Sequence, residues 1–190
     1  MRAAATAGQR SFGENRVQEA LPKIDALADL DLEWHLIGHL QSNKARRAAA
    51  SFAWIESIDS LDLLQRVDAA AGEAANRPRV LIQVDLAHEE TKHGVDPSEV
   101  LALARAASDA KSADLCDLMT VPPIPNDPED SRPWFKKLLQ LRDELIANGI
   151  AADKLRELSM GMSHDFEVAI EEGATIVRVG TAIFGRRTRT

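Results

Sequence analysis

Two stretches near the carboxyl end determine which fold the sequence favours: Leu158-Ser159-Met160-Gly161-Met162-Ser163 and Val177-Arg178-Val179-Gly180-Thr181-Ala182-Ile183-Phe184-Gly185. In each stretch a short β-rich run ends in a turn rich in glycine, serine or threonine, and a helix signal follows. Five further β-rich runs precede them and alternate with helix patterns, which predicts parallel strands joined by right-handed crossovers. The predicted strands are Arg10–Gly13, Glu33–Gly38, Ala53–Ile58, Val80–Val84, Asp117–Val121, Arg156–Ser159 and Thr175–Val179.

A doubly wound sheet and a (β/α)8 barrel both satisfy this alternation, and two observations favour the barrel. No Gly-x-Gly-x-x-Gly pattern follows an early strand. The glycine- and serine-rich loops follow the last two strands, where such barrels usually bind phosphate. We therefore expect an α/β, TIM-type (β/α)8 barrel of about seven strands, forming one domain over residues 1–190.

The chain is short for this fold, since a typical barrel needs about 250 residues. Met1 falls inside a helix pattern that ends at Gly8, so we expect the missing strand and most of its helix to precede Met1. Two explanations stay open: a start codon assigned too late, which the position of Met1 favours, and a real truncation.

Composition excludes several classes of partner. With 30 acidic and 23 basic residues the net charge is -7, which argues against a nucleic-acid backbone or an anionic membrane, and the basic segment Arg186–Arg189 is too short to reverse it. No apolar run approaches the roughly 20 residues that cross a bilayer. Cys116 is the single cysteine, so an internal disulfide and a cysteine-rich zinc site are excluded, and a reducing cytoplasm is the simplest compartment.

The two turns near the carboxyl end form a candidate anion site. Gly161 permits close approach of the backbone, and Ser163 begins the predicted helix Ser163–Glu172, whose free N–H groups would favour a phosphate. Gly180 and Thr181 repeat this arrangement one strand later. Ser163 as an ordinary N-cap is the alternative interpretation. Arg178 interrupts an apolar strand, so it either faces this site or pairs with a core carboxylate such as Glu14.

Other polar residues at predicted strand ends have two interpretations each. Asn15 could line the barrel mouth or cap the next helix. His35 and His39 lie four residues apart on a strand and its loop, a spacing that does not bring two rings to one metal, and no acidic residue of this loop completes a site; a hydrogen-bonded role is expected instead. Lys92 could reach the mouth or lie in a solvated loop. No Ser–His–Asp order, Walker loop or zinc motif is present.

Taken together, several motifs resemble the pyridoxal phosphate homeostasis protein family. They occur in order along nearly the whole chain: Phe12-Gly13-Glu14-Asn15, Trp34-His35-Leu36-Ile37-Gly38 with Leu40-Gln41, Lys92-His93-Gly94, Leu118-Met119-Thr120, and the two carboxyl-terminal stretches quoted above. The resemblance implies a barrel like the N-terminal domain of alanine racemase. It further implies a carrier or buffer of pyridoxal 5′-phosphate (PLP) without established catalysis, with PLP-dependent apoenzymes as its partners.

The same resemblance assigns roles to individual residues. The phosphate of PLP would be surrounded by Ser159, Gly161, Met162, Ser163, Gly180 and Thr181. Arg178 would face the pyridine nitrogen, and an arginine there weakens the ring as an electron sink. Asn15 and His35 would be further pocket residues.

Two departures from the family pattern bear on function. The family carries its Schiff-base lysine on the first barrel strand, and neither Lys44 nor Lys92 matches that position. If the chain is a real truncation, PLP binding would be non-covalent and weaker. Asp117 also stands where the family usually has glycine. A racemase-like PLP enzyme and a folded scaffold that has lost its ligand remain alternatives.

Overall fold

Seven parallel strands form one sheet in which each strand pairs with the next along the chain. The computed structural model describes residues 1–88 and 93–185. Its strands are β1 Ser11–Glu14, β2 Glu33–Leu36, β3 Trp54–Ile58, β4 Arg79–Gln83, β5 Asp114–Met119, β6 Glu157–Met162 and β7 Ile176–Arg178. All seven predicted strands are present, and the α/β barrel class is confirmed. The largest shifts in boundary are in β5, which begins three residues early, and β6, which ends three residues late.

Helices lie between the strands along the chain, as strand–helix alternation requires. They are α1 Arg2–Thr6, α2 Val17–Ala26, α3 Ala45–Ser51, α4 Leu61–Glu73, α5 Val100–Ser108, α6 Arg132–Ala147, α7 Phe166–Glu171 and α8 Thr181–Phe184. Ser60 caps α4 as the sequence predicts, since its hydroxyl oxygen accepts the N–H of Leu63 at 3.3 Å. Within the described ranges every helix is too short or too polar to cross a bilayer.

Two separate apolar clusters hold the barrel together. The larger cluster combines strand residues such as Leu36 and Ile55 with helix residues such as Val67 and Phe135. The smaller one consists of strand residues or their immediate neighbours, with Trp54, Leu81, Cys116 and Met119 at its centre. Because alternate strand residues face opposite sides of a sheet, the larger cluster fills the layer under the helices and the smaller one fills the barrel interior.

Three irregularities in strand register interrupt the sheet. Glu56 and Ser57 of β3 stand opposite one residue of β4, Cys116 is an extra residue in β5, and Met160 and Gly161 of β6 stand opposite one residue of β7. Such bulges redirect side chains and are common beside functional sites. Two of the three border the site described next.

The predicted helix Ser163–Glu172 begins later than expected. Strand β6 continues to Met162, and α7 starts only at Phe166. The prediction that Ser163 begins this helix, next to its free N–H groups, is therefore wrong, and so is the alternative that Ser163 is the N-cap, because Asp165 holds that position. Its hydroxyl instead contacts the turn after β7, because the bulge and the left-handed backbone of Gly161 turn the chain toward that strand.

Candidate anion and cofactor site

The turns that end β6 and β7 lie side by side at the carboxyl end of the barrel. The Ser163 hydroxyl oxygen accepts hydrogen bonds from the N–H groups of Gly180, at 3.1 Å, and Ala182, at 3.4 Å. A side chain at Gly180 would meet no described atom within 4 Å, so the region in front of these groups is open. A hydroxyl and backbone amides with no carbonyl partner thus share one open surface, an arrangement that suits an anion.

Gly161 sets the distance between the β6 turn and helix α7. Its φ is 90°, and a Cβ built there would lie 2.5 Å from the Cβ of Ala169 and 3.1 Å from the Cα of Phe166. Both the backbone conformation and the close approach therefore require glycine. The role that the structure shows for Gly161 is to let α7 pack against the strand end.

Replacing Gly161 with alanine is expected to lower the free energy of unfolding by about 2–4 kcal/mol, from left-handed strain and overpacking together. Gly173 offers a matched control, because its φ is 92° and a Cβ there would meet no described atom within 4 Å. Gly173→Ala thus reports the backbone strain alone. Urea denaturation measures both variants, and equal losses would show that contact with α7 does not require glycine.

A buried aspartate holds the β6 turn in shape. Asp165 accepts the Met162 N–H through Oδ1 at 2.7 Å and the Ser131 hydroxyl through Oδ2 at 2.7 Å. The Met162 N–H is therefore already hydrogen-bonded within the protein, and Met162 helps to hold the turn in shape. Sequence reasoning missed Asp165 because that residue falls inside the predicted helix Ser163–Glu172, so no turn was expected there.

Arg178 points from β7 into the barrel interior. Its guanidinium donates to the Ser159 hydroxyl oxygen at 2.5 Å and to the Thr120 carbonyl oxygen at 2.7 Å. Burial lowers the pKa of Arg178, and the negative charges of Glu56 and Asp165 partly oppose that shift. The suggested partner Glu14 lies elsewhere, bonded to Lys23 at 2.5 Å.

Glu56 connects Arg178 to His35 through Ser159. Its carboxylate accepts the Ser159 hydroxyl at 2.5 Å and lies 2.7 Å from the Nδ1 of His35. Glu56 is fully buried, and the His35 ring stacks on Trp54 with centroids 5.1 Å apart. A carboxylate and a guanidinium thus share one buried network, which lowers the cost of placing either charge in the barrel.

Asn15 lies in a different part of the mouth. It lines a cleft of about 690 Å³ between the loops that follow β1 and β2. A side chain at Gly38 would collide with the Asn15 carbonyl oxygen, so glycine there lets the two loops touch. Lys44 and His93 also line this cleft, whereas no lining residue in the described chain comes from the turns after β6 and β7. Lys92 lies outside the described residues.

Comparison with known proteins identifies the family. The chain matches the family model described as the alanine racemase N-terminal domain over residues 1–188. It is 49% identical over 180 residues to the pyridoxal phosphate homeostasis protein of Aquifex aeolicus, with 95% of this chain and 78% of the relative covered. The chain belongs to the pyridoxal phosphate homeostasis protein family. A human member of that family is 40% identical over 193 residues, covering 95% of this chain and 69% of the relative.

Solved structures of this family have the same fold. PipY of Synechococcus elongatus without PLP matches with a TM-score of 0.91 and 44% identity, covering 97% of this chain and 86% of PipY. PipY with PLP bound matches with a TM-score of 0.89 and 43% identity, over 97% and 85%. Alanine racemase of Clostridium difficile, at 15% identity and a TM-score of 0.71 over 95% of this chain and 46% of its own, shows the shared barrel alone.

Proposed function

We propose that this chain binds PLP and serves as a carrier or buffer of that cofactor. The observation that carries the proposal is the convergence of the Ser163 hydroxyl with the Gly180 and Ala182 amides, next to the strand that bears Arg178. Its 43% identity with PipY, whose structure with PLP bound has the same fold, supports the proposal independently.

The groups present fit a phosphate dianion. The Ser163 hydroxyl oxygen accepts the N–H groups of Gly180 and Ala182, which leaves its own O–H to donate to the phosphate, and no described residue fills the space in front of Gly180. Thr181 adds a hydroxyl in the same turn, and Gly161 and Met162 shape the neighbouring one. Because two backbone N–H groups hold the Ser163 hydroxyl in place, it can donate to an anion at little entropic cost.

In this proposal Arg178 faces the pyridine ring of the cofactor, and Ser159 holds Arg178 in position. The Ser159 hydroxyl is occupied by Glu56 and Arg178, so Ser159 positions the guanidinium instead of binding phosphate directly. Bound PLP would supply an electron-withdrawing pyridine ring. An arginine facing the ring nitrogen disfavours protonation of that nitrogen, which weakens the ring for racemisation or transamination. A carrier role follows in preference to catalysis.

The remaining pocket residues would contact PLP from the other strand ends. His35 is oriented by Glu56 and by stacking on Trp54, and Asn15 lies at the end of β1. We further propose that PLP-dependent apoenzymes receive the cofactor from this chain. We also propose a reducing cytoplasm as its compartment, since the single cysteine, Cys116, is a free thiol.

Titration with PLP tests the proposal. We expect a saturable change in the visible absorbance of the cofactor, and retention after borohydride treatment and denaturation distinguishes covalent attachment to a lysine from non-covalent binding. No binding to the folded protein would overturn the proposal. Sustained racemisation of free amino acids would replace the carrier role with an enzymatic one.

Ser163→Asp is expected to abolish retention of PLP, because it places a carboxylate where the phosphate would lie. Ser11→Asp is the matched control, since it adds the same charge at an exposed position at the amino end of β1, the opposite end of the barrel. Equilibrium dialysis with PLP measures both variants. Retention by Ser163→Asp at the level of Ser11→Asp would reject this phosphate site.

A further inference from the structure

His39, Asp59 and His93 meet at the mouth of the barrel, outside the Arg178 network. They follow three successive strands, β2, β3 and β4. One ligand atom from each residue lies within 4.8 Å of the other two. The Nδ1 of His39 is 3.3 Å from Oδ2 of Asp59, and the rings of His39 and His93 stack with centroids 3.6 Å apart.

The chemistry of these three groups matches a borderline divalent cation. Two imidazole nitrogens and one carboxylate oxygen are typical ligands of Zn²⁺, and three protein ligands leave a coordination position open. Bonds of about 2.0–2.2 Å at tetrahedral angles would place the ligand atoms about 3.3–3.6 Å apart. Because an imidazole lone pair lies in the plane of its ring, the two stacked rings would have to rotate until one nitrogen of each points to the same position.

Exposure of the histidines allows this rotation without repacking the core. Both His39 and His93 are exposed, while Asp59 is half-buried. The two imidazoles lie face to face beside one carboxylate, so after the rings have rotated a cation would be bound by three ligands already gathered from separate loops.

The backbone that carries the histidines is firmly held. Next to His39, the Gly38 carbonyl oxygen accepts the Ser57 hydroxyl at 2.7 Å. The His93 carbonyl oxygen accepts the Gln83 amide at 2.6 Å. Gly94 has a φ of 145°, and a Cβ there would lie 2.6 Å from the Asp85 nitrogen. Ligands carried on a fixed backbone lose little freedom on binding a metal.

We propose that His39, Asp59 and His93 bind one divalent cation, with Zn²⁺ the best fit, and leave an open position facing the cleft that Asn15 and Lys44 line. The two other ligands of this site come from loops other than the one that carries His39. The spacing of residues within the His39 loop could therefore not indicate the site. This cation site is separate from the proposed phosphate-binding groups of Ser163 and Gly180, and it does not depend on the proposed binding of PLP.

Calorimetric titration with Zn²⁺ tests the site in protein purified without a histidine tag and freed of PLP, because the cofactor itself chelates metals. We expect one ion per chain. Loss of a hydrogen-bond partner of a ligand already weakens metal sites by about 10–100-fold, so His93→Ala and Asp59→Asn should weaken binding by at least about tenfold.

His164→Ala is the matched control, because His164 is exposed and lies outside the cluster. It should bind as the parent protein does. Co²⁺ provides a second readout: its visible absorption should indicate imidazole and carboxylate ligation and should change in His39→Ala. Absence of Zn²⁺ binding by the folded parent, or equal binding by the cluster variants and His164→Ala, would overturn the proposal.

Discussion

Asp117→Gly is expected to raise the free energy of unfolding at pH 7 by about 3 kcal/mol. Asp117 is fully buried, and neither carboxylate oxygen has a hydrogen-bond partner among the described residues. Its φ is 136°, a conformation that favours glycine. The substitution removes both the buried carboxyl group and the backbone strain, and these gains exceed the added flexibility of glycine in the unfolded chain.

The gain should depend on pH in a defined direction. Burial raises the pKa of Asp117 to about 8, against a partial lowering by Arg142. In the unfolded chain the carboxyl group titrates near 4. The free energy of unfolding of the wild-type protein, relative to a variant without this group, is therefore highest below pH 4 and falls as the pH rises to about 8. The loss amounts to roughly 5 kcal/mol over this interval and is constant above it.

Urea denaturation from pH 4 to pH 9 measures this effect. Asp117→Asn is the matched control, because asparagine has the size of aspartate and keeps the same backbone strain at a φ of 136° but does not ionise. Both variants should flatten the pH dependence, and glycine should give the larger stability. An unchanged pH dependence in both variants would show that Asp117 is not the titrating group.

Glu56→Ala is expected to lower the free energy of unfolding by about 3–5 kcal/mol, as for other broken buried charge pairs. The substitution leaves the buried Arg178 without its nearby negative charge and removes the acceptor of the Ser159 hydroxyl and the partner of the His35 ring. Glu56→Gln keeps the size of the side chain and its hydrogen bonds to Ser159 and His35, so this variant should lose about half as much free energy of unfolding.

A surface glutamate provides the comparison for Glu56. Glu73 pairs with Arg46 at 3.5 Å, and its side chain is 64% exposed. Exposed pairs contribute about 0–1 kcal/mol, so Glu73→Ala should have a small effect in the same urea experiment. Similar losses for Glu73→Ala and Glu56→Ala would contradict a structural role for the buried network.

The strands could be predicted from sequence because their signals are local. Apolar β-rich runs ended by Gly13 or by Ser159 mark strand positions without knowledge of any distant residue. The placement of glycine- and serine-rich turns after the last two strands also indicated the barrel. Even so, the register shifts at Glu56 and Cys116 depend on the neighbouring strand, and no local pattern specified them.

The polar contacts of the site could not be predicted because they join distant residues. Glu56 and Ser159 are 103 positions apart, and a glutamate in the apolar segment Trp54–Ile58 reads as a strand residue. Arg178 was recognised as an unusual charge, yet its surroundings required the fold. Ser163 was predicted to begin a helix, but it lies in the turn before α7, because that helix begins three residues later than the sequence pattern indicated.

We propose that the turns after β6 and β7 bind the phosphate of PLP. Equilibrium dialysis of the parent protein with PLP and, separately, with pyridoxal, which has the same ring without the phosphate, tests it most directly. We expect retention of PLP and at least about a hundredfold weaker retention of pyridoxal, since charge-assisted hydrogen bonds to the dianion would be lost. Equal retention of the two compounds would contradict the claim.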